Sequence, residues 1–375
     1  MSNYIGHINA TAERNINKYL KDLDIYEDIY SNENVTEVAI NTNKSIYAVE
    51  RGKGFIKKEG ISNNEKLINL LKTLATLDNK QLTDKNTNIS THLVLTGGKK
   101  VRIEGLIPPV VENPTINIRK HSAFLITLEE YLKSGFITQE AHEILSNAIN
   151  NKKNILVVGG TNTGKTTMLN ALIHIADKNG ERLITIEEVP ELQVSGDNVN
   201  RVQTIPGIFS PLQALRYCMR ATPERIVFGE IREGESAYEF INGLNSGHPG
   251  GFSTIHADDG LGALKKLETY INSTHGKPMS EEIGMGIDII VTVKMKNFER
   301  YLASIDICEG YNKSINQYNL KNLYLSDKED SFEQEEKEKL INYVKEKLKI
   351  DDIQVNILQR KSLEYLEEFI LKIRN

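Results

Sequence analysis

Cysteine is almost missing from this chain of 375 residues: Cys218 and Cys308 are the only two. They are far apart and form no C-x-x-C pair, which excludes a disulfide framework and a cysteine zinc module and leaves two reduced, buried thiols as the expectation. Long apolar runs are missing too. The best candidate, residues 283–293, is interrupted by Asp288 and falls well short of the ~20 residues of a membrane-spanning helix. Residues 1–20 carry Asn, Glu, Arg and Lys throughout, so the apolar core of a secretory signal is not there and a cytoplasmic chain is expected. No sign of charge dominates: 46 Lys and Arg stand against 51 Asp and Glu, for a net charge of −5. Nothing global therefore favours nucleic acid or an anionic membrane. The 15 tyrosines do not interleave with a basic stripe, so no direct nucleic-acid binding is evident.

What is present is enough for ordinary cores, 39% apolar residues, and a length that suggests two domains and a small third element at roughly 100–200 residues per domain. Residues 9–30 read as a helix. Short alternating segments follow at 35–41, 45–51, 91–96, 101–107 and 115–119, with Gly97-Gly98 as a hairpin turn. Between them, Leu67, Leu70, Leu71 and Leu74 have the spacing of a helix that faces a sheet. The pattern changes near residue 121. Thr127-Leu-Glu-Glu130 is a capping box, Gly135 ends that helix and Thr138 starts the next. From Lys153 onward strands at 154–158, 183–186, 225–228 and 251–255 alternate with helices, one opening on the capping box Ser210-Pro211-Leu-Gln213. The expectation is an α/β chain: an α+β amino-terminal domain (1–122), a linker and connecting helix (123–138), a mostly parallel sheet wrapped by helices (139–325) and a charged helical tail (326–375). In the tail, Leu340, Ile341, Val344, Leu348 and Leu363, Leu366, Ile370, Ile373 read as packing faces.

Four segments carry chemistry. Gly159-Gly160-Thr161-Asn162-Thr163-Gly164-Lys165-Thr166, continued by Thr167, matches G-x-x-x-x-G-K-[ST] between an apolar strand and a helical pattern. Glycines let the backbone N–H groups close around phosphates, and the helix that follows adds the positive end of its dipole. Lys165 would neutralise the outer phosphates and the Thr166 hydroxyl would ligate Mg²⁺. In Ile184-Thr-Ile-Glu187-Glu188-Val-Pro-Glu191, acids follow a buried-type strand, and Glu187 could reach a ligand at the strand's carboxyl end; alone, this segment reads as a solvated acidic loop. In Arg225-Ile-Val-Phe-Gly-Glu230-Ile-Arg232, a short apolar strand delivers Glu230 to hold Mg²⁺ or orient the attacking water. In Gly247-His248-Pro-Gly-Gly-Phe-Ser-Thr254-Ile-His256, a neutral His256 could hydrogen-bond a phosphate oxygen, although a lone histidine is more often a loop residue with local partners.

Together, and in this order, the four segments resemble the Walker A, acidic box, Walker B and His box of the hexameric secretion ATPases of type IV secretion and conjugation, within the wider type II/type IV secretion superfamily. VTEVAINTNKSIYAVERGKG, VRIEGLIPPV and TINIRKHS are similar to the amino-terminal domain of the conjugation-type members. Glu188 stands where that family carries Asp, and Glu233 where it often carries Gly. The resemblance implies a RecA-like P-loop domain behind a PAS-like one, with ATP and Mg²⁺ as cofactors. It further implies a hexameric homo-oligomer seated peripherally on an inner-membrane secretion or conjugation complex. Carried over by position, it gives Lys165, Glu187, Glu230 and His256 catalytic roles and puts Mg²⁺ on Thr166 and Glu230. It also places Arg102 and Arg119 of the first domain, with Arg216 and Arg220, around the nucleotide. Which acid orients the water, Glu230 or Glu187, stays open, as do a pilus-type ATPase and a slowly turning nucleotide-gated scaffold. Lys165→Ala removes the cation of the loop. Steady-state phosphate release should fall at least about a hundredfold, the scale of losing a major charge-stabilising group.

Overall fold

Two apolar patterns build two sheets. The computed structural model describes residues 10–95, 98–120, 125–205, 207–329 and 338–344, with Leu366 and Ile370. In the first half, period-two alternation produces a half-covered antiparallel sheet. Its strands are β1 (Val35–Ile40), β2 (Ile46–Glu50), β3 (Gly54–Lys57), β4 (Asn88–Leu95), β5 (Lys99–Leu106) and β6 (Thr115–Lys120), in the order β3-β2-β1-β6-β5-β4. Val101, Ile103, Ile116 and Ile118 point into a core shared with α1 (Ala10–Asp22), α2 (Tyr26–Tyr30) and α3 (Asn64–Leu77). Leu67, Leu70, Leu71 and Leu74 are fully buried there. Arg102 and Arg119 are direct neighbours across β5 and β6. They alternate with the core residues and so lie on the opposite, uncovered face.

The single helix expected over 9–30 is two helices. Asp24 adopts the left-handed region (φ 56°), which no helix propagates, and the break lets Ile25 insert fully into the core. The β4–β5 hairpin closes with Leu95 opposite Lys99; Thr96 and Gly97 lie outside the described residues.

The connecting helices start as their caps dictate. In α4 (Leu128–Lys133) the Thr127 hydroxyl accepts from the Glu130 N–H while the Glu130 carboxylate accepts from the Thr127 N–H. Thr138 caps α5 (Gln139–Asn150). The second sheet then has eight strands: β7 (Ile155–Val158), β8 (Leu183–Glu187), β9 (Val199–Gln203), β10 (Arg225–Phe228), β11 (Phe252–Ile255), β12 (Ile289–Lys296), β13 (Glu299–Asn312) and β14 (Gln317–Leu325). Their order is β14-β13-β12-β7-β11-β10-β8-β9. The run from β12 to β9 is parallel, and β13 and β14 add an antiparallel edge. Helices cover both faces, so β7, β10 and β11 are buried at every residue, as a doubly covered parallel sheet requires. Ile155 and Val157 point to a core with α6 (Lys165–Lys178). Leu156 and Val158 point to one with α7 (Pro211–Cys218), α8 (Gly234–Asn245), α9 (Gly260–His275) and α10 (Ser280–Gly286). Cys218 and Cys308 are free and buried, as expected.

Beyond the elements the sequence pattern gives, the structure adds β3, β9, β12, β13, β14, α9 and α10. The β13–β14 hairpin lies at a sheet edge and mixes polar and apolar residues without clean alternation. In the tail, residues 338–344 are helical, and Ile341 and Val344 pack with Leu366 and Ile370. Leu348, Leu363 and Ile373 lie outside the described residues.

The amino ends of the parallel strands are clamped by Arg225, which has no solvent exposure. Its guanidinium makes a two-bond pair with Glu181 (2.7 and 2.9 Å) and donates to the Ile149 and Gly250 carbonyls. Arg225→Ala would leave the largely buried Glu181 carboxylate with Lys152 alone among the described residues, at 3.6 Å, so unfolding stability should drop by up to about 3 kcal/mol, read as a lower denaturant midpoint of the nucleotide-free protein.

Candidate active site

The carboxyl ends of β7, β8, β10 and β11 line one edge of the sheet, and each delivers one of the four motifs there. The loop from β7 to α6 is tightly enclosed. A Cβ on Gly159 would run into the Val293 carbonyl of β12, and Gly164 has φ +98°, a backbone that side chains resist. Thr163 is buried and donates to the Gly160 carbonyl at 3.0 Å. Thr166 and Thr167 open α6 and are partly exposed.

Lys165 is 7% exposed. Its ammonium donates to the Gly160 carbonyl (2.6 Å) and faces His256 Nδ1 at 3.2 Å. A lysine ammonium can only donate, so Nδ1 is the acceptor and the ring proton sits on Nε2. Burial, and then Lys165, hold the His256 pKa below its ordinary value, in keeping with a neutral ring. His256 Nε2 in turn lies 3.1 Å from Glu230 Oε1, too poorly aligned to hydrogen-bond, which leaves that buried oxygen without a hydrogen-bond partner. The other oxygen, Oε2, accepts from Arg232 at 2.7 Å. Burial pulls the Lys165 pKa down to about 8; Glu230 opposes this, while Arg119, Lys266 and Arg232 add to it. A dehydrated ammonium beside a carboxylate oxygen with no donor is suited to an anionic ligand and a cation or water that bridges to Glu230.

The structure therefore brings Lys165, Glu230 and His256 together. Arg119 is within electrostatic range of Lys165. Glu187 ends β8 beside Gly229, but its Oε1 accepts the N–H groups of Glu191 and Leu192 at 2.8 and 2.7 Å, so it organises its own loop. Glu188 is the acid that reaches toward the site, 3.4 Å from Arg232. Glu233 precedes α8 and accepts from the Ser236 hydroxyl. Arg102 pairs with Glu104 and Arg216 with Glu239; Arg220 is exposed.

Sequence reasoning assigned no role to three further cations. Arg232 was visible inside its motif. Lys266, on α9, donates to the His256 carbonyl at 2.6 Å. Arg300, on β13, donates to the Asn162 carbonyl (2.8 Å) and to Asn162 Oδ1 (3.0 Å). Neither Lys266 nor Arg300 carries a local signal, because the chain's return path alone brings it to the loop.

The profile of the type II/IV secretion system protein family matches residues 21–295. This chain belongs to that family. A probable conjugal transfer protein TrbB of Sinorhizobium fredii is 33% identical over 263 residues, covering 70% of this chain and 79% of the relative. A type IV secretion system protein VirB11 of Bartonella quintana is 31% identical over 252 residues, covering 56% and 69%. The structure of the Legionella pneumophila ATPase DotB shares the fold, with a TM-score of 0.56 at 15% identity over 98% of this chain and 93% of that one. This secretion-family member is a P-loop ATPase and binds nucleotide. None of its described helices is long and apolar enough to cross a membrane.

Burial pushes the Glu187 carboxyl up to about 7, against its two N–H donors. Because the folded state holds this proton more tightly than the unfolded one, Glu187 costs the fold progressively more stability as pH rises from about 4.5 to 7. Glu187→Gln cannot ionise. Its melting temperature relative to the parent should therefore rise between pH 5 and pH 8 in a thermal scan, and a difference independent of pH would refute a raised pKa.

Proposed function

We propose that this ATPase works as a homo-oligomeric ring, hexameric by the resemblance, that powers type IV secretion or conjugative transfer from the cytoplasmic face of an inner-membrane complex. The two working bodies are residues 1–122 and 139–325. The observation that carries the catalytic part of this reading is the contact line Lys165–His256–Glu230 across the ends of β7, β11 and β10.

Lys165 moves from the Gly160 carbonyl onto the phosphates. The loop N–H groups and the α6 amino end accept the remaining charge. Thr166 and Glu230 are the residues that would hold Mg²⁺, and the unpartnered Glu230 Oε1 fits that task. Bound Mg²⁺ supplies charge neutralisation at the transferring phosphoryl group. With one oxygen on Arg232, Glu230 has one open oxygen that serves either to hold Mg²⁺ or to orient the attacking water, and Glu187, whose Oε1 is engaged with backbone, is less suited to either role. His256, held neutral, stands between Lys165 and Glu230 and could take up a hydrogen bond to either the ligand or Glu230 once the site is filled. Arg119 closes the site from the amino-terminal sheet.

The conjugal relatives favour transfer over the pilus-type alternative, since the chemistry of the two is shared. Glu230→Gln should retain nucleotide binding and lose at least about a hundredfold in turnover, whereas Glu187→Gln should keep most of it. Analytical ultracentrifugation with a non-hydrolysable ATP analogue, run beside a turnover assay across dilution, tests the ring. A chain that stays monomeric with concentration-independent specific activity overturns it, and phosphate release near background overturns the motor reading in favour of the scaffold.

A further inference from the structure

One short hairpin touches both bodies of the protein. The turn between β12 and β13 runs through Asn297 and Phe298, both in the left-handed region (φ 51° and 64°), so the tip is sharply defined. The Phe298 ring lies directly on Gly54, the first residue of β3 in the amino-terminal sheet, where any Cβ would collide with it. Two residues further on, Arg300 reaches the nucleotide loop and grips Asn162 through both its backbone carbonyl and its side chain. Asn162 is itself left-handed (φ 64°), a conformation asparagine adopts more readily than most side chains, and Arg300 holds both of its oxygens in that arrangement. Arg300 lies over the loop with its Cδ 3.5 Å from where a Gly164 Cβ would stand. It lies beyond the end of the family match at residue 295.

Arg300 also sits where it is electrostatically disfavoured. Burial, followed by Arg51 and Arg119 of the amino-terminal sheet, weakens its hold on its proton. What keeps it in place is the planar fork on Asn162, which an ammonium would not reproduce.

We propose that the β12–β13 hairpin is a strut. Phe298 senses how the β2–β3 turn is docked, and Arg300 converts that docking into the shape of the Walker A loop. Arg300 is thus a positioning residue for nucleotide, and the amino-terminal sheet sets nucleotide affinity through it. This rests on the nucleotide-site reading above. The strut acts before chemistry, so it alters binding and KM and leaves kcat close to the parent value.

The test is a double-mutant cycle on the full chain, with MgADP binding followed by calorimetry and KM and kcat followed by phosphate release. Arg300→Ala should weaken MgADP about 5- to 20-fold and Phe298→Ala about threefold, within the range of coupling through packed networks. The double variant should bind no more weakly than Arg300→Ala alone, because the Phe298 effect travels through Arg300. Arg300→Lys, which keeps the charge and loses the fork, should resemble Arg300→Ala. The strut is overturned if the two losses multiply, if either single variant binds like the parent, or if Arg300→Lys restores affinity. Lys165→Ala measured in parallel separates the two readings: should it bind MgADP normally, the nucleotide site itself is wrong, whatever the hairpin variants do.

Discussion

The ammonium of Lys165 is withdrawn from water at the junction of parallel strands, and a cation there needs either its proton removed or an anion supplied. The protein meets that need provisionally, with the Gly160 carbonyl on one side and a histidine lone pair on the other. Both are neutral acceptors, and neither offsets the desolvation of a full charge as a phosphate does. The nearest carboxylate, Glu230, is divided between Arg232 and an oxygen without a donor. Two features of the site share this origin in burial: the depressed lysine pKa and the histidine held below its ordinary pKa.

Meeting that demand requires strand ends held in fixed register, and the opposite edge of the sheet supplies the rigidity. Arg225 ties β10 to α5, to the start of β8 and to the approach to β11. Asn154, also buried, accepts from the Gly250 and Gly251 N–H groups and donates to the Gly286 carbonyl, so it joins β7, β11 and the end of α10. These polar groups lie far along the strands from the nucleotide loop. The amino ends of the strands are tied by several buried hydrogen bonds, while at the carboxyl ends the Glu230 Oε1 has none. That asymmetry lets the site respond to a ligand without loosening the core.

Much of this was legible in residue order. A P-loop, a capping box or an apolar strand ending in Glu is local chemistry, and each lands where its pattern places it: Thr127, Thr138 and Ser210 cap helices, and Glu230 and His256 stand beside Lys165. Pattern failed where geometry is non-local. In Glu187-Glu188 two adjacent acids point to opposite sides of an extended segment, and only the structure shows that Glu187 turns onto the backbone of its own loop while Glu188 meets Arg232. Arg216 sits on the right helix but is claimed by Glu239. The edge hairpin of β13 and β14 was missed for lack of alternation, and with it Arg300.

Arg51, Arg119, Lys165 and Arg300 come from four separate parts of the chain, and Arg119 lies within electrostatic range of both Lys165 and Arg300, as Arg51 does of Arg300. Like charges at such a meeting repel, more so where burial limits screening by solvent. Folding alone gives no reason to gather them, since the Arg102–Glu104 pair shows that the same sheet face can neutralise an arginine locally. On the reading proposed above, a multiply charged anion between them would offset that repulsion and draw the amino-terminal sheet toward the P-loop body. Among the described residues, the two bodies already touch through Phe298 on Gly54 and through the Lys100 ammonium, which donates to the Pro190 carbonyl. Neither contact sets like charge against like charge, so both can hold the two surfaces in register, and a polyphosphate bound between them would meet an interface that needs little reorganisation.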